Sequence, residues 1–174
     1  MTRQQLLKKL VPQTPQWQPS TQPGPSELLI QEKLTPLVEA LTHPDESCRK
    51  AAVQHVLRTC LPALVARLIY RLVDLLNGDV TARSQALASL VQFGSRALPT
   101  FTLRFTQTRS VAVQRGIVEA LTRMAPKLTQ AERIDLMVDV LSLEPFAAGD
   151  SVRRELAGLL AVARTANEAA SRTR

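Results

Sequence analysis

From Ser26 onward, apolar residues recur at intervals of three and four, the spacing that gathers one face of an α-helix. Helix start and stop signals interrupt that pattern at short intervals. Ser26 precedes "ELLIQEKL", Asp45 precedes "ESCRKAAVQHVL", Pro62 opens "ALVARLIYRLVDLL", Gly78 and Asp79 lead into "VTARSQALASLVQF", Ser110 precedes "VAVQRGIVEALTRM", and Asp150 precedes "SVRRELAGLLAVA". Ser, Thr and Asp oxygens accept the unpaired N–H groups of a first turn, proline is tolerated there, and glycine permits a left-handed exit. "TQAE", Thr129 to Glu132, has the form of a capping box. These signals predict helices over residues 27–42, 46–60, 62–77, 80–93, 97–107, 111–125, 130–143 and 151–169, with Pro36 kinking or dividing the first. The short connections make neighbours antiparallel.

Four of these helices carry near-copies of one nine-residue pattern: "CRKAAVQHV", "ARSQALASL", "VQRGIVEAL" and "VRRELAGLL". Aligned, they place Cys48, Ala82, Val113 and Val152 in one column, Ala52, Ala86, Ile117 and Leu156 four later, and Val56, Leu90, Leu121 and Leu160 eight later, all on one helical face. Beside the first column stand Arg49, Arg83, Gln114 and Arg153, at intervals of 34, 31 and 39 residues. Two helices per unit at such a period mark an α-solenoid, in which each pair buries its apolar faces against the next.

The segments "LTPLVEALTHPDESCRKAA", "LVDLLNGDVTARSQALASL" and "GDSVRRELAGLL" resemble the HEAT-repeat family, including the repeats of bacterial lyases that attach bilins to phycobiliproteins. The resemblance covers roughly residues 27 to 165 and implies a right-handed all-α superhelix of about four helix pairs. It further implies that the turn Asp and the second-helix Arg link neighbouring repeats: Asp45 with Arg49, Asp79 with Arg83, and Asp150 with Arg153 or Arg154. The third repeat departs from this, with Ser110 and Gln114 in those places, so the middle of the stack is expected to be less strongly cross-linked or slightly re-aimed. By the same resemblance the second helices line a concave partner surface, which makes Lys50, Gln54, Gln85, Arg115, Glu119, Arg123, Arg154 and Glu155 the candidate partner-binding residues.

Around this body, "PQTPQWQPSTQPGP" at residues 12–25 holds five of the chain's 11 prolines and reads as an extended linker, with Trp17 either anchoring a partner or packing back. Residues 1–11 form a short segment, amphipathic if helical, with Leu6, Leu7, Leu10 and Val11 opposite Arg3, Lys8 and Lys9. Its alternatives are docking on the body, on a partner, or on an anionic membrane. The body spans 26–170, and 171–174 is a polar tail. Apolar residues make up 45% of the chain and aromatics only 3%, a Leu, Val and Ala economy suited to helix packing rather than strands.

Net charge is +7 and uneven. Residues 96–127 carry Arg96, Arg104, Arg109, Arg115, Arg123 and Lys127 against Glu119 alone. Residues 128–150 carry Glu132, Asp135, Asp139, Glu144 and Asp150 against Arg133 alone. A basic zone attracts polyanions, so Arg104, Arg109, Arg115, Arg123 and Lys127 define an alternative nucleic-acid or polyanion surface. Against it stands a plain solvated surface, which also accounts for Asp135 and Asp139.

Specific chemistry is harder to find. His43, Cys48, His55 and Cys60 cluster, but their spacing lacks the close pairs that let a turn present two ligands to one zinc ion, and Cys48 falls in the apolar column as a core residue. No glycine-rich phosphate loop or nucleophile motif is present, so no catalytic residue, cofactor or metal is expected. With 4 Phe, 1 Tyr and 1 Trp, the chain is poorly equipped for a bilin cleft or for base stacking. Two cysteines suit a reducing cytoplasm, and no segment has the length of a membrane span or the form of a signal peptide. The sequence reading is thus a cytoplasmic, non-catalytic protein-interaction scaffold. Polyanion binding is the rival, and a bilin-lyase or chaperone-like role is the remaining alternative.

Overall fold

The computed structural model describes residues 34–172, and every regular element among them is helical. Residues 34–41 form the described part of α1. Then follow α2 (Glu46–Thr59), α3 (Pro62–Asp74), α4 (Val80–Phe93), α5 (Leu98–Gln107), α6 (Val111–Met124), α7 (Gln130–Leu143) and α8 (Asp150–Arg172). The leading segment 1–11, the linker with Trp17, the start of the first helix and residues 173–174 lie outside the described residues. Pro36 lies within α1.

The caps form largely as their side chains dictate. Asp45 accepts from the backbone N–H of Ser47 and Cys48, Asp79 from Ala82 at 2.8 Å, and Ser110 from Val113 at 3.4 Å. The Thr129–Glu132 box closes in both directions, at 3.3 and 2.8 Å. Helix ends depart from expectation. Residues 75–77, 94–97, 125–127 and 144–146 tighten into 3-10 turns, which satisfy terminal carbonyls at shorter range. Gly78 is extended rather than left-handed (φ −78°); Gly94 has the positive φ, 60°, that glycine tolerates, but with ψ −145° it lies outside the left-handed helical region. Asp150 is the first residue of α8 rather than its cap.

Packing sorts the helices into two layers. In one, α2 packs on α4, α4 on α6, and α6 on α8; in the other, α3 packs on α5 and α5 on α7. Between the layers lie Leu68, Ile69 and Leu72 of α3, Leu90 of α4, Phe101 and Phe105 of α5, Ile117 of α6, and Leu136, Val140 and Leu143 of α7, all buried. Each such side chain contributes about 1.5–3 kcal/mol by leaving water. Ser89 in α4 donates to the carbonyl of Leu41, which ties α4 to the end of α1.

The repeated columns follow this layering with one exception. Val113 and Val152 are buried, and Ala82 is half-buried, but Cys48 is exposed. In its layer α2 packs on α4 alone among the described helices, so the residue expected in the core faces outward. No helix among the described residues is long and apolar enough to cross a membrane.

Candidate functional site

The positions beside the first column do four different things. Arg49 is buried and donates to the carbonyls of His43 and Pro44 at 2.6 and 2.7 Å, satisfying the turn that precedes its own helix. It does not bridge to Asp45, whose carboxylate is occupied by Ser47 and Cys48; those hydrogen bonds, the Ser47 hydroxyl first, hold it below the usual carboxylate range. Arg83 does not pair with Asp79, whose carboxylate caps α4 through Ala82, but reaches across to Glu119 of α6 at 3.3 Å. Exposed Arg153 pairs only with Asp150 on its own helix, at 3.1 Å, because its first-turn position points it along α8.

Gln114 overturns the expectation of a loosely linked middle. Fully buried, it places its amide nitrogen 3.1, 3.1 and 2.9 Å from the carbonyls of Phe105, Thr108 and Phe146, which share its two N–H groups, and its oxygen accepts from Ala148 N–H at 2.7 Å. An amide both donates and accepts, so one side chain fastens the end of α5 and the turn before α8 to α6. An arginine could not accept from Ala148. The sequence departs from the repeat pattern here because the site requires an acceptor as well as donors.

Above this buried layer, α4, α6 and α8 form an open groove of about 500 Å³. Its floor is Val118, Thr122, Gly158, Leu159 and Val162, and its rim is Arg83, Arg115, Glu119, Arg123 and Glu155. The rim is an ordered ladder: Glu119 accepts from Arg83 of α4 and, at 2.6 Å, from Arg123 one turn along α6, while Arg115 meets Glu155 of α8 at 2.6 Å. These pairs are one-third to one-half exposed, so each contributes well under about 1 kcal/mol to stability and is open to exchange with an incoming group. A lining of this kind offers donors and acceptors to a polypeptide's polar groups and an apolar floor to one of its side chains.

Arg123 also lines a second depression, of about 540 Å³, with Glu46, Lys50, Gln92 and Lys127. There Lys50 donates to Glu46 at 2.6 Å, which holds the Glu46 carboxyl below its usual range. Gln85 lines a third depression, of about 410 Å³, beside Arg49.

Of the eight candidate partner-binding residues, Arg115, Glu119, Arg123 and Glu155 thus come together in one groove, and Lys50 and Gln85 line its neighbours. Gln54 and Arg154 are exposed but line none of the three. Arg83, read from sequence as purely structural, belongs to the rim.

The polyanion set does not assemble. Arg104 lies in the other layer, stacked 4.6 Å over the Tyr70 ring, donating to the Tyr70 hydroxyl at 2.8 Å and paired with Asp74, so its charge is engaged in joining α5 to α3. Arg115 and Arg123 are paired with glutamates, which leaves Arg109 and Lys127 exposed at the two ends of α6. Sequence pattern gave no sign of the Arg104–Asp74 and Arg115–Glu155 pairings, since partners 30 and 40 residues away carry no local periodicity; Arg123 and Glu119, four apart on α6, are a local pair.

Among the described residues, no three His, Cys, Asp or Glu side chains converge in a geometry that could hold a metal ion. His43 accepts from the N–H of Asp45 at 3.1 Å, a local turn contact. Compared with family models, with curated proteins and with solved structures, the chain finds no match in any of the three.

Proposed function

We propose that the protein is a non-catalytic adaptor: a right-handed α-solenoid of four HEAT-like helix pairs that holds a polypeptide segment of a partner in the groove across α4, α6 and α8. The alternation of two helix layers at the repeat period supports the solenoid reading. The observation that carries the binding reading is the groove itself, where an apolar floor with a glycine at its centre lies between two inter-helix ion pairs. Arg104, held by Asp74 and Tyr70 in the other layer, does not join Arg115 and Arg123 on one surface, which weighs against polyanion binding by the five cations.

Gly158→Trp tests this reading. Open space over Gly158 lets an indole occupy the groove without displacing the core. A partner captured and identified with the wild-type chain, then titrated in purified form, is expected to lose at least about tenfold in affinity for Gly158→Trp, with thermal unfolding unchanged or raised. Arg109→Ala, away from the groove, is expected to bind as wild type. Equal affinity of wild type and Gly158→Trp for that partner would rule the groove out.

A further inference from the structure

A helix that ends a layer leaves one side uncovered, and α7 does so with an apolar side. In its layer α5 packs against α7 and no further helix of that layer follows among the described residues, while α8 packs on α7 from the other layer. Opposite its buried Leu136, Val140 and Leu143, it exposes Ile134 (44%), Val138 (63%) and Leu141 (59%), one turn apart along a single stripe. Such two-sided apolar patterning belongs to helices packed on both sides. A surface helix carries a polar outer face instead, and the other exposed large apolar residues stand singly: Leu61, Val80 and Val111 at helix starts, Leu103 within α5 and Phe146 in the turn after α7.

The flank of the stripe is acidic. Asp135 and Asp139 stand one turn apart beside it. Partial burial of Asp139, and then the charge of Asp135, raise its carboxyl above the usual range. The only cation of α7 is Arg133, which is buried and donates to the carbonyl of Leu128. A second copy of α7 would therefore bring more aspartates and no exposed cation to this face.

We infer that the outer face of α7 is a second docking surface, separate from the groove, which takes an amphipathic helix of a partner with lysine or arginine along the flank that meets Asp135 and Asp139. Side chains at turn spacing form ridges that interlock with the ridges of another helix, which selects a helical occupant over an extended one. The aspartate row sets its sign and its orientation.

The test titrates the full chain with a synthetic amphipathic helix of about 18 residues, long enough to hold helix in contact, with leucines at turn spacing and lysines on one flank. Its counterpart has glutamates in place of the lysines. The lysine peptide is expected to bind wild type at least about tenfold more tightly than the glutamate peptide, and Val138→Lys to weaken it by about tenfold or more. Asp135→Asn with Asp139→Asn is expected to weaken it several-fold while leaving the fold intact, since both residues lie on the outer side. Unchanged binding to Val138→Lys, or equal binding of the two peptides, would overturn the inference. So would a wild-type dimer in sedimentation equilibrium that Val138→Lys converts to monomer. None of these outcomes bears on the groove, which Gly158→Trp tests separately.

Discussion

On α6, Gly116 lies against the turn that follows α3: a methyl group added there would stand 2.9 Å from Leu76 Cδ1 and 3.0 Å from its Cβ. On α8, which packs against α6, Gly158 faces open space, with no heavy atom within 4 Å of the same added methyl. Both interrupt helices, where glycine costs about 0.5–1 kcal/mol relative to alanine through lost backbone entropy. At Gly116 the close approach of α6 to Leu76 explains that cost. At Gly158 nothing within the described chain explains it. The buried side of the α4–α6–α8 layer is thus organised by internal packing, and its groove side leaves unfilled space over a destabilising residue.

The largest expected effect lies on the buried side, at Gln114. Replacing it with leucine keeps approximate volume but leaves three carbonyls and the Ala148 N–H without their partner. Unsatisfied buried groups cost about 1–3 kcal/mol each, with part recovered where water can enter, so Gln114→Leu is expected to lose about 3 kcal/mol or more in urea unfolding. A loss under about 1 kcal/mol would mean that the middle of the stack is held by apolar packing alone.

Gly116→Ala comes next. The added methyl must displace Leu76 at its Cβ, which cannot rotate away, and overpacking of this kind costs about 1–3 kcal/mol. Improved helix propensity offsets less than about 1 kcal/mol of that. A net loss of about 1–2 kcal/mol in the same measurement is expected, and a variant as stable as wild type would erase the distinction between the two glycines.

How far the sequence revealed these regions depended on the range of the interactions. Caps and helix spans were legible because they are local: "TQAE" closes as a box, and the segment read as 80–93 is Val80–Phe93. The repeat columns located Ile117, Leu121 and Leu156 in the core, since helical periodicity carries burial. Gln114 was misread as a weakness, because a pattern that expects arginine cannot show that the site needs an acceptor. Arg104 was misread as a free cation, because Tyr70 and Asp74 reach it only through packing of α3 on α5. Four groove residues were foreseen from their place on the repeated helices, but the floor was not. Val118, Leu159 and Val162 look in sequence like any other core positions, and only the space above Gly158 distinguishes them.

The smallest effect is also the one of opposite sign. Gly158→Ala adds a methyl group to open space and restricts the unfolded chain, so it is expected to stabilise the protein by about 0.5–1 kcal/mol. For a chain of this size that raises the thermal midpoint by about 1–4 °C, which calorimetry resolves. A lowered midpoint would place Gly158 in the same class as Gly116 and remove the reason to read the groove as unfilled. A raised midpoint together with weaker binding of the groove's partner would locate the missing explanation outside the chain: the residue that costs α8 stability would then be the one that leaves room for another protein's side chain.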